Sequence, residues 1–228
     1  MTNGLFLCLE GSDGTGKGTQ HELLVNRLIE ENYDVLQLDF PQYGQPSAEL
    51  AELYLNNTFG NAVDLHPKLA SLCFAVDRLE AKDRIIQAKQ LGSIVLANRF
   101  SASNMAHQAA KFDLRQDRVD FFNWLHNWEH DIMGIPEPDQ YLLLRLPAAI
   151  AQQRVLQKQQ RSYTDSKLDG HEADLAYLKR AENTYQDLAD TFPDNFIVVD
   201  CVDGDYEKSA SEIHEEIWQH KDRLLTNA

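Results

Sequence analysis

The chain has 228 residues, enough for one α/β domain with a substantial core, and no linker-like stretch or composition shift divides it. Its formal net charge of −15 excludes broad binding to nucleic acid or to an anionic membrane, because either needs a basic face. Cys8, Cys73 and Cys201 are scattered without a C-x-x-C pattern, no leader-like start is visible, and no apolar run is long enough to span a membrane, so a reducing, cytoplasmic setting away from membranes is expected.

The first predicted element is a strand over Leu5–Leu9. It runs into Gly11-Ser12-Asp13-Gly14-Thr15-Gly16-Lys17-Gly18, after which Leu23, Leu24, Leu28 and Ile29 recur at helical spacing. A strand, a glycine-rich loop and a helix in this order are the context of a phosphate-binding loop. Glycines at 11, 14 and 16 let the backbone approach a ligand, the exposed amides of residues 11–19 and the helix N-terminus offer partial positive charge, and Lys17 adds a full one. Such loops end in Ser or Thr, whose hydroxyl binds Mg²⁺. Here Gly18 stands in that place and Thr19 follows, so either Thr19 or ordered water must replace the ligand.

Further strands are predicted at about 34–39, 93–98, 140–146 and 195–200, separated by long segments of helical periodicity. This alternation predicts an α/β fold, a three-layer α/β/α sandwich with a central parallel sheet of about five strands. Ligands in such sheets bind beyond the carboxyl ends of the strands. There the sequence places the glycine loop, then Phe40-Pro41-Gln42-Tyr43-Gly44, then Asn98-Arg99-Phe100 with Ser101–Asn104. Arg99 directly follows a buried-looking strand and needs a partner, because charges are seldom buried unpaired. A polar stretch at Gln159–His171, between a helix beginning near Pro147 and another around Asp174–Thr191, suits a mobile lid, and Arg154, Lys158, Arg161 and Lys167 cluster around it.

Taken together, the chain resembles the thymidylate kinase family, nucleoside-monophosphate kinases that phosphorylate dTMP with ATP. The resemblance spans nearly the whole sequence. It is carried by Leu9-Glu10-Gly11-x-Asp13-Gly14-x-Gly16-Lys17, Phe40-Pro41-x-Tyr43-Gly44, Phe74-Ala75-x-Asp77-Arg78, Arg99 with Ala102-Ser103-Asn104, and Glu182-x-x-Tyr185-x-x-Leu188-Ala189. It implies a single P-loop kinase domain over 1–228 with a lid at about 154–171, and a homodimer using ATP, dTMP and Mg²⁺.

By that resemblance, residues 11–19 hold ATP, Phe74 stacks on thymine, Arg78 donates to its exocyclic oxygen, and Asn104 and Ser103 complete the base edge. Phe40, Pro41 and Tyr43 close over the nucleotide, Arg99 clamps the acceptor phosphate, and Asp13 sits between acceptor and metal. Gln108, one turn beyond Asn104, is placed to reach the acceptor. Gly14 stands where one branch of the family has a loop arginine, so Arg154, Lys158 and Arg161 would supply the lid cations that stabilise the transferred phosphoryl group. From periodicity alone, Phe74 reads as a core aromatic and Asp77 with Arg78 as a surface ion pair.

Three positions depart from the family. Gly18 replaces Ser or Thr, as in the Gly-Lys-Gly-Thr-Gln of adenylate kinases. Asn98 replaces the Asp of Asp-Arg-Tyr, removing a carboxylate near Mg²⁺ and Lys17, which predicts weaker Mg²⁺ binding or slower turnover. His107 stands where a branch has Tyr against the sugar's 2′ position, which predicts weaker rejection of ribo-TMP unless His107 is merely a helix-surface residue.

Competing readings have their own signals. His126-Asn127-Trp128-Glu129-His130 fits the H-x-x-E-H of a metallopeptidase, although the sequence advertises no third zinc ligand. The alternative is that Trp124, Leu125, Trp128 and Ile132 form a packing or dimer face with the histidines at its rim. A non-catalytic nucleotide-binding P-loop protein is the other rival, favoured by Gly18 and Asn98, and a kinase for another monophosphate such as dUMP is a third.

Overall fold

A computed structural model describes residues 4–161 and 175–220, without the side chains of 158–161. Its central strand, β1 (Phe6–Glu10), is buried along its whole length. On one side it pairs in parallel with β3 (Ile94–Asn98), which pairs with β2 (Val35–Asp39). On the other it pairs with β4 (Gln140–Arg145), which pairs with β5 (Phe196–Asp200). The order β2-β3-β1-β4-β5 is the five-stranded parallel sheet that the apolar runs predict.

Strand alternation sends Phe6, Cys8, Val95, Ala97, Tyr141 and Leu143 to one face of the sheet. They pack there on α3 (Pro67–Gln90), α4 (Ser101–Ala109), α5 (Arg115–His126) and α7 (Leu175–Thr191). Leu7, Leu9, Leu96, Leu142 and Leu144 face the other side, against α1 (Lys17–Glu30), α6 (Ala148–Arg161) and α8 (Ala210–Gln219). Both faces are thus covered, so these strands read as continuous apolar runs and not as alternating ones. A short α2 (Glu49–Leu55) packs on α3 beside the carboxyl edge.

Two features were not expected. Residues 202–207 form a hairpin of two-residue strands, β6 (Val202–Asp203) and β7 (Tyr206–Glu207), too short to leave a period in the sequence. Helix α5 continues as a π-helix over Asn127–Ile132. Leu125 is fully buried and Glu129 has 0% exposure, so this segment is core on its inner side, while Ile132 faces out.

Candidate active site

The glycine loop folds as its composition requires. Gly11, Gly14 and Gly16 have φ of 141°, 84° and 93°, the region that residues with a Cβ avoid. A Cβ at Gly11 would stand 2.6 Å from the Leu144 carbonyl oxygen, and one at Gly14 would stand 2.5 Å from that of Ala151. Thr15 Oγ1 and Lys17 Nζ both donate to the Ser12 carbonyl, at 2.9 and 2.8 Å, holding the loop round the N-terminus of α1. A Cβ at Gly18 would meet nothing within 4 Å, and both Gly18 and Thr19 are exposed.

Glu10, fully buried at the end of β1, ties this loop to the next one. Its Oε1 accepts from the backbone N–H groups of Phe100 and Ser103 at 2.8 and 3.1 Å, the open amides at the start of α4. Its Oε2 accepts from Ser103 Oγ at 2.6 Å and Tyr185 Oη at 3.2 Å. The turn so fixed holds Arg99 at φ 65°, with its N–H on the Leu9 carbonyl at 2.9 Å. Its guanidinium reaches Asp13 of the glycine loop, Ser103 Oγ at 3.1 Å and His107 Nε2 at 3.3 Å. Arg99 therefore stands between the glycine loop and the cavity beside it.

That cavity, of about 850 Å³, opens beyond the carboxyl edge of the sheet. Asp13, Phe40, Pro41, Tyr43, Phe74, Arg78, Arg99, Ser103, Asn104, His107 and Gln108 all line it. Arg78 is not paired with Asp77. Its Nε and Nη2 donate to the two oxygens of Glu129 at 2.7 and 2.5 Å, both side chains being buried. Asp77 instead accepts from the Gln42 N–H at 2.8 Å and Ser47 Oγ at 2.6 Å, pinning the segment that follows Phe40-Pro41. Asn104 Nδ2 bridges Glu129 and the Ser71 carbonyl, each at 3.0 Å, while its Oδ1 is buried without a partner among the described residues. Among the described residues, this wall of the cavity thus offers one unused acceptor beside a guanidinium.

Phe74 is half-buried and meets Tyr54 edge-on at 5.5 Å, and Phe40 packs edge-on against Phe100 at 5.2 Å as part of the core. Tyr43 is 64% exposed at the mouth. Gln108 accepts from Tyr54 Oη at 3.3 Å, and Lys111 binds Tyr54 Oη and the carbonyls of Ala62 and Leu65. Burial lowers the Lys111 pKa to about 8. His107 is no free surface residue. Its Nδ1 lies 2.7 Å from Tyr177 Oη, the two rings stack at 5.9 Å, and desolvation with the nearby Arg99 charge lowers its pKa to about 3. A neutral ring accepting from Arg99 at Nε2 carries its hydrogen on Nδ1.

Asn98 Nδ2 donates to Asp39 Oδ1 at 3.0 Å. A carboxylate therefore does stand at this sheet edge, on the neighbouring strand. Burial raises the Asp39 pKa, against the lowering pull of His21, Asn98, Arg99 and Lys17.

Of the lid positions, Arg154 pairs with Glu207 of β7 at 2.9 Å. The side chains of Lys158 and Arg161, and most of the lid expected at about 154–171, lie outside the described residues. Arg180 of α7 lines the cavity. Nothing in the sequence marks Arg180, Asp39, Tyr177 or Lys111. An acid directly before the glycine loop is a visible signal for Glu10, but nothing local joins Glu129, the acid of the H-x-x-E-H motif, to its arginine 51 residues away.

The sheet order, the glycine loop at the N-terminus of α1 and the basic junction beyond the strand ends define a P-loop phosphotransferase of the nucleoside-monophosphate kinase type. A family model described as thymidylate kinase matches residues 9–217. A thymidylate kinase of Caulobacter vibrioides is 31% identical over 203 residues, covering 88% of this chain and 90% of its own. One of Mycobacterium tuberculosis is 30% identical over 187 residues, 81% of this chain and 86% of its own. The structure of thymidylate kinase from Candida albicans superposes with a TM-score of 0.71 at 20% identity, over 100% of this chain and 95% of that one. The chain belongs to the thymidylate kinase family.

Proposed function

We propose that this protein phosphorylates dTMP to dTDP with ATP by in-line transfer. The observation that carries the proposal is Arg99, whose guanidinium joins Asp13 of the phosphate loop to the wall formed by Ser103 and His107. A cation at that junction is placed to hold the acceptor phosphate against the donor. A protein that only bound a nucleotide would not need it.

Residues 11–19 bind the ATP phosphates. Phe74 stacks on the thymine, Arg78 donates to an exocyclic oxygen, and Asn104 Oδ1, which has no partner among the described residues, accepts from the ring N–H. Stacking with directed hydrogen bonds is how such a pocket rejects a wrong base. Phe40, Pro41 and Tyr43 bound the pocket, and Gln108 backs it. The phosphoryl group needs positioning and spread positive charge more than covalent help. Lys17, Arg99 and Arg180 supply that charge, with Lys158 and Arg161 of the lid, and Arg154 once released from Glu207.

Asp13 of the glycine loop and Asp39 at the end of β2, whose carboxylate feels the Lys17 and Arg99 charges, are hard oxygen donors that would suit Mg²⁺, with Thr19 or water in place of the missing hydroxyl at Gly18. Mg²⁺ would neutralise charge on the phosphates; the protein's own part is to orient its waters. Outward-facing Leu69, Val76 and Leu79 on α3, 57%, 39% and 39% exposed, suit the face of a homodimer. Three unpaired thiols suit the cytoplasm.

The test is product analysis with purified protein, ATP·Mg²⁺ and dTMP: dTDP and ADP form in equal amounts, and Lys17→Met or Arg99→Met lowers the rate at least about 100-fold. Formation of ADP without dTDP, or an undiminished rate in both variants, would refute the proposal.

A further inference from the structure

The cavity lining does not include the histidines of the H-x-x-E-H segment. Glu129, its acid, turns inward onto Arg78, so it cannot serve as the base of a peptidase. The histidines face elsewhere. At the junction of α5 and the π-helix the rings of His126 and His130 lie 4.9 Å apart, and the loop before β4 brings in Glu137. Ligand atoms of these three residues all lie within 4.8 Å of one another, the one such group among the described residues.

Hydrogen bonds from outside the group hold His130 and Glu137, and ring stacking holds His126. The His130 Nδ1 lies 2.8 Å from the Ile135 carbonyl, which can only accept, so the hydrogen sits on Nδ1 and Nε2 keeps its lone pair. That Nε2 is buried and meets no partner among the described residues. A buried lone pair without a donor is costly, and a metal would satisfy it. Glu137 Oε1 lies 3.1 Å from His126 Nε2 and accepts from Asn195 Nδ2 at 3.1 Å, while the His126 ring stacks on Phe192 at 5.7 Å. An outer ring N–H given to a carbonyl, with the other nitrogen presented inward, is how protein histidines are set to bind metals.

We propose that His126, His130 and Glu137 form a binding site for one divalent transition metal of the zinc type. The two-nitrogen, one-oxygen set suits Zn²⁺ or Co²⁺ over Mg²⁺, with water as fourth ligand. Bonds of about 2.1 Å place tetrahedral ligand atoms about 3.4 Å apart, so the widest pairs of the group must close by up to about 1.4 Å on binding. Glu137 precedes β4 and Asn195 precedes β5, so the site lies at the amino edge of the sheet, opposite the nucleotide cavity. Its role is structural: it clasps the end of α5 to the entries of two strands. It holds whether or not the acceptor is dTMP.

The experiment is a Co²⁺ titration of the metal-stripped full chain without nucleotide, followed by Zn²⁺ competition. The site predicts one equivalent, the intense visible bands of tetrahedral cobalt, displacement by Zn²⁺, and a Zn²⁺-dependent rise in melting temperature. Glu137→Gln keeps an acceptor for Asn195 and is the mild variant. It and His130→Ala are expected to weaken binding at least about 10-fold, with Cys73→Ser unchanged. Should His130→Ala not fold, Glu137→Gln decides. Absence of tetrahedral bands in the wild type, equal affinity in Glu137→Gln, or loss of binding in Cys73→Ser would overturn the proposal.

Discussion

Arg78 and Glu129 form a doubly hydrogen-bonded ion pair at 2.5 and 2.7 Å, with side-chain exposures of 3% and 0%. The pair fixes the guanidinium plane, leaving its remaining N–H groups for the cavity, and Asn104 shares the same carboxylate at 3.0 Å. Removing one partner strands a buried charge, which costs about 3–5 kcal/mol. Glu129→Ala is therefore expected to lower the melting temperature sharply. Glu129→Gln retains the shape and is expected to raise KM for dTMP more than it lowers kcat. An unchanged KM in a folded Glu129→Gln variant would show that Arg78 needs no such support.

Glu10 acts on the other side of the pocket. Its carboxylate accepts from two backbone N–H groups of the Arg99 turn, and an amide oriented with its NH₂ toward them would oppose donor to donor. Glu10→Gln is expected to cost about 1–3 kcal/mol in denaturant unfolding. Arg99 would lose its fixed place, so kcat falls as well.

At the carboxyl edge of β2 and β3, Asp39 changes what Asn98 means. Asn98→Asp sets a second carboxylate about 3 Å from Asp39, where two like charges disfavour joint ionisation, so the substitution is not expected to speed turnover. Asp39→Asn is expected to raise the Mg²⁺ concentration for half-maximal rate roughly 10-fold. The double exchange Asp39→Asn with Asn98→Asp should recover most of the loss. Mg²⁺ titrations of the rate check all three.

His107 is neutral in the folded state, its pKa lowered to about 3 from 6.5, first by desolvation and then by Arg99. The unfolded chain takes up a proton below about pH 6.5 that the folded chain refuses. Stability therefore falls on acidification from about 6.5 toward 3, by at most about 1.4 kcal/mol per pH unit. His107→Gln should flatten that limb in unfolding curves. The short imidazole, held by Tyr177, also predicts weaker rejection of ribo-TMP than in a His107→Tyr variant. Equal rejection by the two would refute it.

The readable parts of the molecule were those whose physics is local. The glycine loop is contiguous, and a buried parallel strand such as β3 is an unbroken apolar run. Arg99 was visible because a charge at a buried strand end needs a partner. Arg78 stands out only through family resemblance, since a helix period cannot separate a core-facing arginine from a surface one. Its partner Glu129 lay inside a motif that read as zinc chemistry, and the third residue beside those histidines, Glu137, sits in a loop without periodicity. Asp39 was hidden because cross-strand register joins it to Asn98, 59 residues away.

The central claim is the acceptor. ADP formation from ATP·Mg²⁺, measured with dTMP, dUMP, ribo-TMP and AMP separately at matched concentration, tests it most directly. The account predicts turnover selective for dTMP, with dUMP lower in kcat/KM by roughly 10-fold or more for its missing methyl. No turnover with any acceptor, by protein that still binds ATP, would contradict it.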